Sequence, residues 1–353
     1  MANNEFWFNK RVCGLSKPGQ DKLKRMEGIG REDVLRRLGD EEKKSYHYLK
    51  TLNAIKQYNT PDFFRHIENP KKFYHTLLEF TNTNNINTSV AKSIIPSLLR
   101  YVQTGHMRPL LLVGEPGCGK TTAIKKFAEN ALGLPTIARD VTQIASSHGV
   151  TGEDGSYKEA DVGILAQAQI ENRSILHVFI FEEIDKAVQT SSVAPIDKSL
   201  LSVCDANNTN VQDNYLSVPL VGIEHCPIFF SANDLSLVNP ILADRCTVIQ
   251  FPNPPVSLIQ SIMLEYVKKE LESPLYNQFV KFDFRLMNAS IDRSVALNVI
   301  SLRKHQQVME SVLNSAFAIA MSQEEDDPIE VDEKMFREAE DGILLTKSRM
   351  IGF

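Results

Sequence analysis

The chain has 353 residues, with 39 Lys and Arg against 44 Asp and Glu and a net charge of −5. At about 150 residues per domain, that length predicts two to three domains, each with its own core. Hydrophobic residues at 42% and charged residues at 24% are ordinary globular usage, which excludes wholesale disorder, and 17 Gly with 16 Pro exclude a collagenous or low-complexity chain.

Residues 1–88 are polar and helical in pattern. The start, Met1 to Arg11, holds no apolar stretch able to act as a secretory signal, and no apolar run nears the ~18 residues of a membrane helix. Between 10 and 37, nine Lys and Arg face four Asp and Glu, which reads as a solvated helical face rather than a nucleic-acid arm. A pI near 6.0 also disfavours a nucleic-acid partner held by bulk charge. Asn82 to Thr88 predicts a polar loop that closes this helical N-terminal extension.

From 89 to 251, short apolar strands alternate with helices, the pattern of an α/β domain whose parallel sheet is covered on both faces. Strands are predicted at 110–113, 176–181, 228–230 and 247–251. After Asn253-Pro254-Pro255, residues 252–353 read as a helical domain. Leu258, Ile259, Ile262, Met263, Tyr266 and Val267 repeat at helical spacing behind a capping Ser257. A second long helix starts near Ser301, with Leu302, Met309, Val312, Leu313, Ala316 and Phe317 on its inner face. Ten acids and two bases between Glu324 and Asp341 predict an exposed loop and helix. Five cysteines without CxxC spacing predict neither disulfides nor zinc, which suits a soluble protein of a reducing cytoplasm.

The strongest motif is Gly114-Glu115-Pro116-Gly117-Cys118-Gly119-Lys120-Thr121, a full GxxxxGK[ST] loop between a strand and an amphipathic helix, and these residues with Thr122 are expected to bind the nucleotide. Glycines let backbone N–H groups wrap a phosphate, and the helix N-terminus adds partial positive charge. Lys120 is expected to reach the β- and γ-phosphates of ATP, and the Thr121 hydroxyl to ligate Mg²⁺. Downstream, His177 to Phe181 is an apolar strand that delivers Glu182 and Glu183 at its end. One carboxylate then holds Mg²⁺ through water, and the next polarises the attacking water.

These elements resemble those of AAA+ ATPases, specifically the ATPase module of Lon-type proteases, over roughly residues 89–320. Phe181 to Lys186 resembles the family's Asp-Glu-Ile-Asp-Lys segment. Leu200 to Asp205 with Asp213 to Val218 resembles the helix and hairpin beyond it, Ser231-Ala232-Asn233 the sensor 1 strand end, and Ala243-Asp244-Arg245 the arginine-finger motif. The resemblance implies that Asn233 orients water between the γ-phosphate and Glu183, and that Arg245 completes a neighbouring subunit's site. Arg303 would act as sensor 2 in a helical lid, residues 252–353. Tyr157, in the Gly-rich stretch after His148, resembles the aromatic pore loop that grips an unfolded polypeptide. The expected assembly is a ring of identical subunits, a hexamer, that hydrolyses ATP and remodels a protein substrate. The alternative is an ATP-controlled switch or scaffold that recruits an effector with little turnover. Two departures stand out. Glu182 replaces the usual Asp, lengthening the metal-side carboxylate by one methylene. The chain also stops soon after the lid, so no peptidase activity is expected.

Overall fold

A computed structural model describes residues 70–144, 148–154, 160–172, 174–189, 196–205, 211–216, 218–220, 222–323 and 327–344. The basic stretch 10–37 and Tyr157 lie outside them. The chain divides into two compact units. Among the described residues, the first holds 70–84, 88–113 and 120–250, and the second holds 85–87, 114–119 and 251–344.

The first unit opens with α1 (Pro70–Thr83) and α2 (Thr88–Thr104), so the polar loop is shorter than predicted and spans only 84–87. In α2, Val90, Ala91, Ile94, Ile95, Leu98, Tyr101 and Val102 are buried at three- and four-residue intervals, one face of a helix. Then come β1 (Leu110–Val113), α3 (Lys120–Lys126), a wider π-helical turn over Phe127–Leu132 and β2 (Thr136–Asp140). Next follow α4 (His148–Thr151), α5 (Ile164–Asn172), β3 (Val178–Glu182) and α6 (Ile196–Val203). A short hairpin, β4 (Gln212–Asp213) and β5 (Val218–Pro219), precedes β6 (Ile228–Ala232), α7 (Pro240–Arg245) and β7 (Thr247–Gln250).

Five strands form one parallel sheet in the order β2-β3-β6-β1-β7. Every residue of β1 and β6 is buried, which explains why both read as unbroken apolar runs rather than alternating ones. The strand predicted at 176–181 instead runs from Val178 to Glu182, because Asp140 pairs with Glu182 and carries the ladder one residue further.

The second unit contains α8 (Val256–Leu271), β8 (Val280–Lys281), α9 (Phe284–Ala296), α10 (Leu302–Ser322), β9 (Ile329–Glu330) and α11 (Glu333–Leu344). Its core joins Ile259, Met263 and Val267 to Val308, Met309, Val312, Leu313, Ala316 and Phe336. Three expectations need correction. The residue before α8 is Pro255, so Ser257 already lies inside the helix, where its carbonyl accepts the Ser261 hydroxyl at 2.9 Å. The unit is not purely helical, since β8 and β9 pair in parallel. The acid-rich stretch ends in a packed helix: α11 buries Met335, Phe336, Ala339 and Leu344. The same helix buries Glu340, whose carboxylate accepts Arg293 Nη2 and Nε at 2.7 and 3.2 Å. α10 starts where expected, with the Ser301 side chain accepting from the Lys304 N–H at 3.5 Å.

His177, just ahead of β3, is fully buried with its ring 5.9 Å from Phe179. Burial lowers its pKa from 6.5 to about 4, against the weaker opposite pull of the Ile175 and Ala168 backbone. The unfolded chain therefore takes up a proton that the folded chain refuses. Stability is intact above pH 6.5 and falls as the pH drops toward 4, by about 3 kcal/mol in all. In urea titrations at a series of pH values, the wild-type chain should lose that much more stability on acidification than His177→Leu; parallel pH profiles would contradict it.

Candidate nucleotide-binding site

In the first unit, β1 and β6 end level with each other, and β3 ends one residue before them. Val113 pairs with Ala232, so Asn233 lies one residue beyond the sheet edge, and β3 delivers Glu182 at its own last position. Lys120, the first residue of α3, is 8% exposed, and its Nζ donates to Asn233 Oδ1 at 3.1 Å. The Thr121 hydroxyl donates to Glu182 Oε1. Thr122, one residue on, is exposed. Three segments far apart in sequence thus meet at the C-terminal edge of a parallel sheet, where ligands of such sheets bind. The longer Glu182 side chain reaches the threonine hydroxyl, so the extra methylene does not separate the pair. A hydroxyl and a carboxylate at one point are hard oxygen donors that suit Mg²⁺, and a nearly buried ammonium suits a phosphate.

Glu183 has a left-handed backbone, φ 58°, one of three non-glycine residues with positive φ among those described. Left-handed geometry is costly for a residue bearing a Cβ, and such strain gathers at functional positions. Its N–H donates to Ser231 Oγ at 3.4 Å, and its carboxylate pairs with Lys186 three residues on, which raises the lysine's pKa. Asp185, 5% exposed, accepts the Asn233 N–H on Oδ2 at 3.2 Å, while its buried Oδ1 has no partner among the described residues. Asp185 and Ser231 were part of the motifs noted in the sequence but carried no role there. Their contact with the strand ends appears only once β3 and β6 are paired.

The loop 114–119 groups with the second unit. Gly117 and Gly119 have φ of 79° and 100°. A Cβ on Gly114 would strike the Phe251 carbonyl, and one on Gly117 would strike the Ser301 hydroxyl. The Leu302 N–H donates to the Gly117 carbonyl at 2.9 Å, and Glu115 accepts from Asn253 Nδ2 at 3.1 Å. Glu115 and Pro116 are exposed, whereas Cys118 is buried. Arg303 is exposed, and its Cβ lies 3.6 Å from where a Gly117 Cβ would stand. Arg245, at the end of α7, donates to the Leu201 carbonyl and lies 3.9 Å from Asp205. The neighbouring Asp244 instead offers its carbonyl to Arg108. Tyr157 lies outside the described residues.

A parallel α/β sheet in which an interior strand, here β1 between β6 and β7, runs into a GxxxxGK[ST] loop is the architecture of a P-loop nucleotide-binding protein. Residues 110–253 match the family described as "ATPase family associated with various cellular activities (AAA)". Lon proteases are among the proteins this chain is similar to. It is 30% identical to the peroxisomal Lon protease homolog 2 of Pichia angusta over 142 residues, 40% of this chain and 15% of that one. It is 33% identical to the Lon protease of Dictyoglomus thermophilum over 178 residues, 49% of this chain and 22% of that one. With the Lon protease of Aster yellows witches'-broom phytoplasma it shares 26% identity over 271 residues, 70% of this chain and 33% of that one. The chain thus spans at most a third of the length of these relatives.

Glycine at 183 relieves the left-handed strain and forgoes only an exposed ion pair of little worth. Glu183→Gly should therefore melt no lower than the wild-type chain, with a gain of about 1 kcal/mol, while Glu183→Val, β-branched in the same conformation, should melt lower. Thermal denaturation of the two variants checks this; a clear loss in Glu183→Gly would show that the conformation is unstrained.

Proposed function

We propose that this chain binds and hydrolyses ATP and uses the energy to remodel or unfold a protein substrate as a ring-shaped homo-oligomer, a hexamer, in the cytoplasm. The reading rests on the sheet-edge contacts of Lys120 with Asn233 and of Thr121 with Glu182, inside the 110–253 region that matches the AAA family. The 114–119 loop and Lys120 hold the phosphates. The Thr121 hydroxyl would ligate Mg²⁺, and the Glu182 carboxylate would hold it through water. Mg²⁺, when bound, offsets the charge of the phosphates. Glu183 takes the proton of the attacking water once its carboxylate leaves Lys186. Asn233 orients that water, with its backbone held by Asp185. Arg303 belongs to the 252–353 lid, next to the glycine loop. Arg245 serves the neighbouring subunit's nucleotide after releasing Leu201 and Asp205. Residues 1–88 select the target. Among the described residues no helix is long and apolar enough to cross a membrane.

A second reading draws on two observations. Glu183 is paired with Lys186, and Arg245 is engaged within its own chain. A chain at rest with both groups occupied suits an ATP-controlled scaffold that recruits an effector and turns over slowly.

Four variants separate these readings. Lys120→Ala should abolish ATP binding, while Glu183→Gln should bind ATP and lose hydrolysis by ~10²–10⁴. Arg245→Ala should bind normally and hydrolyse poorly, and mixing it with Lys120→Ala should restore activity, since one mixed interface keeps both intact halves. A monomer that hydrolyses at full rate without Arg245 would end the trans-site reading. Tyr157→Ala should keep basal hydrolysis and lose substrate-stimulated turnover. If Glu183→Gln locked with ATP supports full effector recruitment, the switch reading prevails.

A further inference from the structure

α7 is only six residues long, too short to hold its shape unaided, because a helix of that length repays little of its nucleation cost. Both of its ends are therefore held from outside. At the start, the Asn239 side chain accepts the Ile241 N–H at 2.9 Å, and Pro240 supplies a preset first turn. At the end, the Cys246 N–H donates to the Ala243 carbonyl at 3.1 Å, and the chain passes straight into β7. That sharp exit leaves the last carbonyls of the helix without N–H groups from a further turn.

Arg108 supplies donors to those carbonyls. Its Nη2 donates to the Asp244 carbonyl and its Nε to the Arg245 carbonyl, the latter at 3.4 Å. The side chain reaches them because Leu110 pairs with Thr247, and the Thr247 N–H donates to the Pro109 carbonyl at 2.8 Å, which brings the entry of β1 against the exit of α7. A planar guanidinium suits two adjacent carbonyls, and a cation at a helix C-terminus meets the negative end of its dipole. Arg245 repeats the device one helix further on. Its guanidinium donates to the Leu201 carbonyl in the last turn of α6, with Asp205 3.9 Å away. Two arginines thus act in series, the first on the backbone of the second. Neither Arg108 bond involves Lys120, Thr121, Glu182 or Asn233.

We propose that Arg108 is a positioning residue for Arg245: it fixes the backbone at the end of α7, so that the Arg245 side chain can leave Leu201 and Asp205 for a neighbouring subunit's nucleotide by rotation alone. The second half of this statement rests on the proposed function; the hold on α7 does not. A guanidinium that moves between two partners delivers its charge accurately only when its own Cα stays in place, since a misplacement of about 1 Å can cost about 10²-fold in rate. Loss of Arg108 should therefore slow hydrolysis without weakening ATP binding, and should do so only through Arg245. Where Arg245 is absent, Arg108 has nothing left to position.

The test uses the full-length chain as wild type, Arg108→Ala, Arg108→Lys, Arg245→Ala and the double variant Arg108→Ala with Arg245→Ala. Arg285→Ala, which removes an exposed arginine of the second unit, is the control. Amide hydrogen exchange at 243–246 should accelerate about tenfold in Arg108→Ala, while β1 and β6 keep wild-type exchange. In the same variant kcat for ATP should fall about tenfold, with KM within about twofold of the wild type. Arg108→Lys, which keeps the charge but not the planar fork, should recover part of that loss. The double variant should hydrolyse no more slowly than Arg245→Ala alone. Wild-type exchange at 243–246 in Arg108→Ala would overturn the hold on α7. So would acceleration spread equally over β1 and β6, which would make Arg108 a general stabiliser. A further tenfold loss in the double variant would overturn the positioning role, as would a raised KM with kcat unchanged. Should Arg108→Ala fail to fold, Arg108→Gln takes its place in each comparison. If Arg245→Ala hydrolyses ATP at the wild-type rate, the trans-site reading falls, and the exchange data still decide whether Arg108 holds α7.

Discussion

The parallel pairing of β1 with β6, and of β6 with β3, is the constraint on which the candidate site depends. Leu111 faces Phe230 and Phe181 faces the same Phe230, so β1 and β6 end level and β3 ends one residue before them. That alignment places Glu182, Asn233 and the start of α3 within bonding reach. A slip of one residue would displace a strand end by about 3.3 Å and turn its side chains to the opposite face. Slip is resisted because both faces are apolar and closed: Phe179, Phe181, Phe229 and Phe230 are all buried, and the rings of Phe181 and Phe230 stack at 5.7 Å. Hydrophobic burial in the sheet thus secures the polar geometry at its edge.

The polar edge is where the first unit accepts local cost. Glu183 holds a backbone conformation that a side chain disfavours. Among the described residues, Asp185 is buried with one oxygen unpartnered, and Asp213 is buried with its oxygens on backbone N–H groups. Each departs from a rule that the surrounding sheet obeys, and each lies where a strand gives way to a loop. Such departures persist only where neighbouring structure over-determines them, and they concentrate where chemistry or partner contact is carried out. Arg293 and Glu340 in the second unit contrast with them. The half-buried Arg293 and the buried Glu340 answer each other through two parallel hydrogen bonds, which tie α9 to α11.

The glycine loop shows how backbone freedom and close approach combine. Gly117 needs a positive φ and also leaves no room for a side chain beside Ser301, so two independent requirements coincide at one residue. The N–H of Leu302 then donates to the Gly117 carbonyl, joining the loop to the start of α10 within the second unit. The loop therefore combines its glycine geometry with a tie to α10, the helix that also carries Arg303.

Local chemistry was legible from the residues alone. The loop from Gly114 to Thr121 declares itself because glycine, lysine and threonine at fixed spacing meet backbone requirements that no distant contact alters. β1, β3 and β6 declare themselves because strands buried on both faces read as apolar runs, whereas β2, with no buried residue, is not among the predicted strands. Ser301 is the N-cap of α10 for an equally local reason, its side chain accepting an N–H three residues on. The remaining features depend on partners far away in sequence. α11 reads as an exposed acidic helix by charge count, yet Met335, Phe336 and Ala339 form a stripe that only the facing helices reveal. Asp185 reaches Asn233 across 48 residues, Asp213 reaches Gly163 across 50, and Arg245 settles on Leu201 across 44. Residue type and spacing therefore determined what kind of site this chain can carry. Which acids hold it in place was decided by strand register and loop return, because a hydrogen bond between distant residues leaves no periodic trace along the chain.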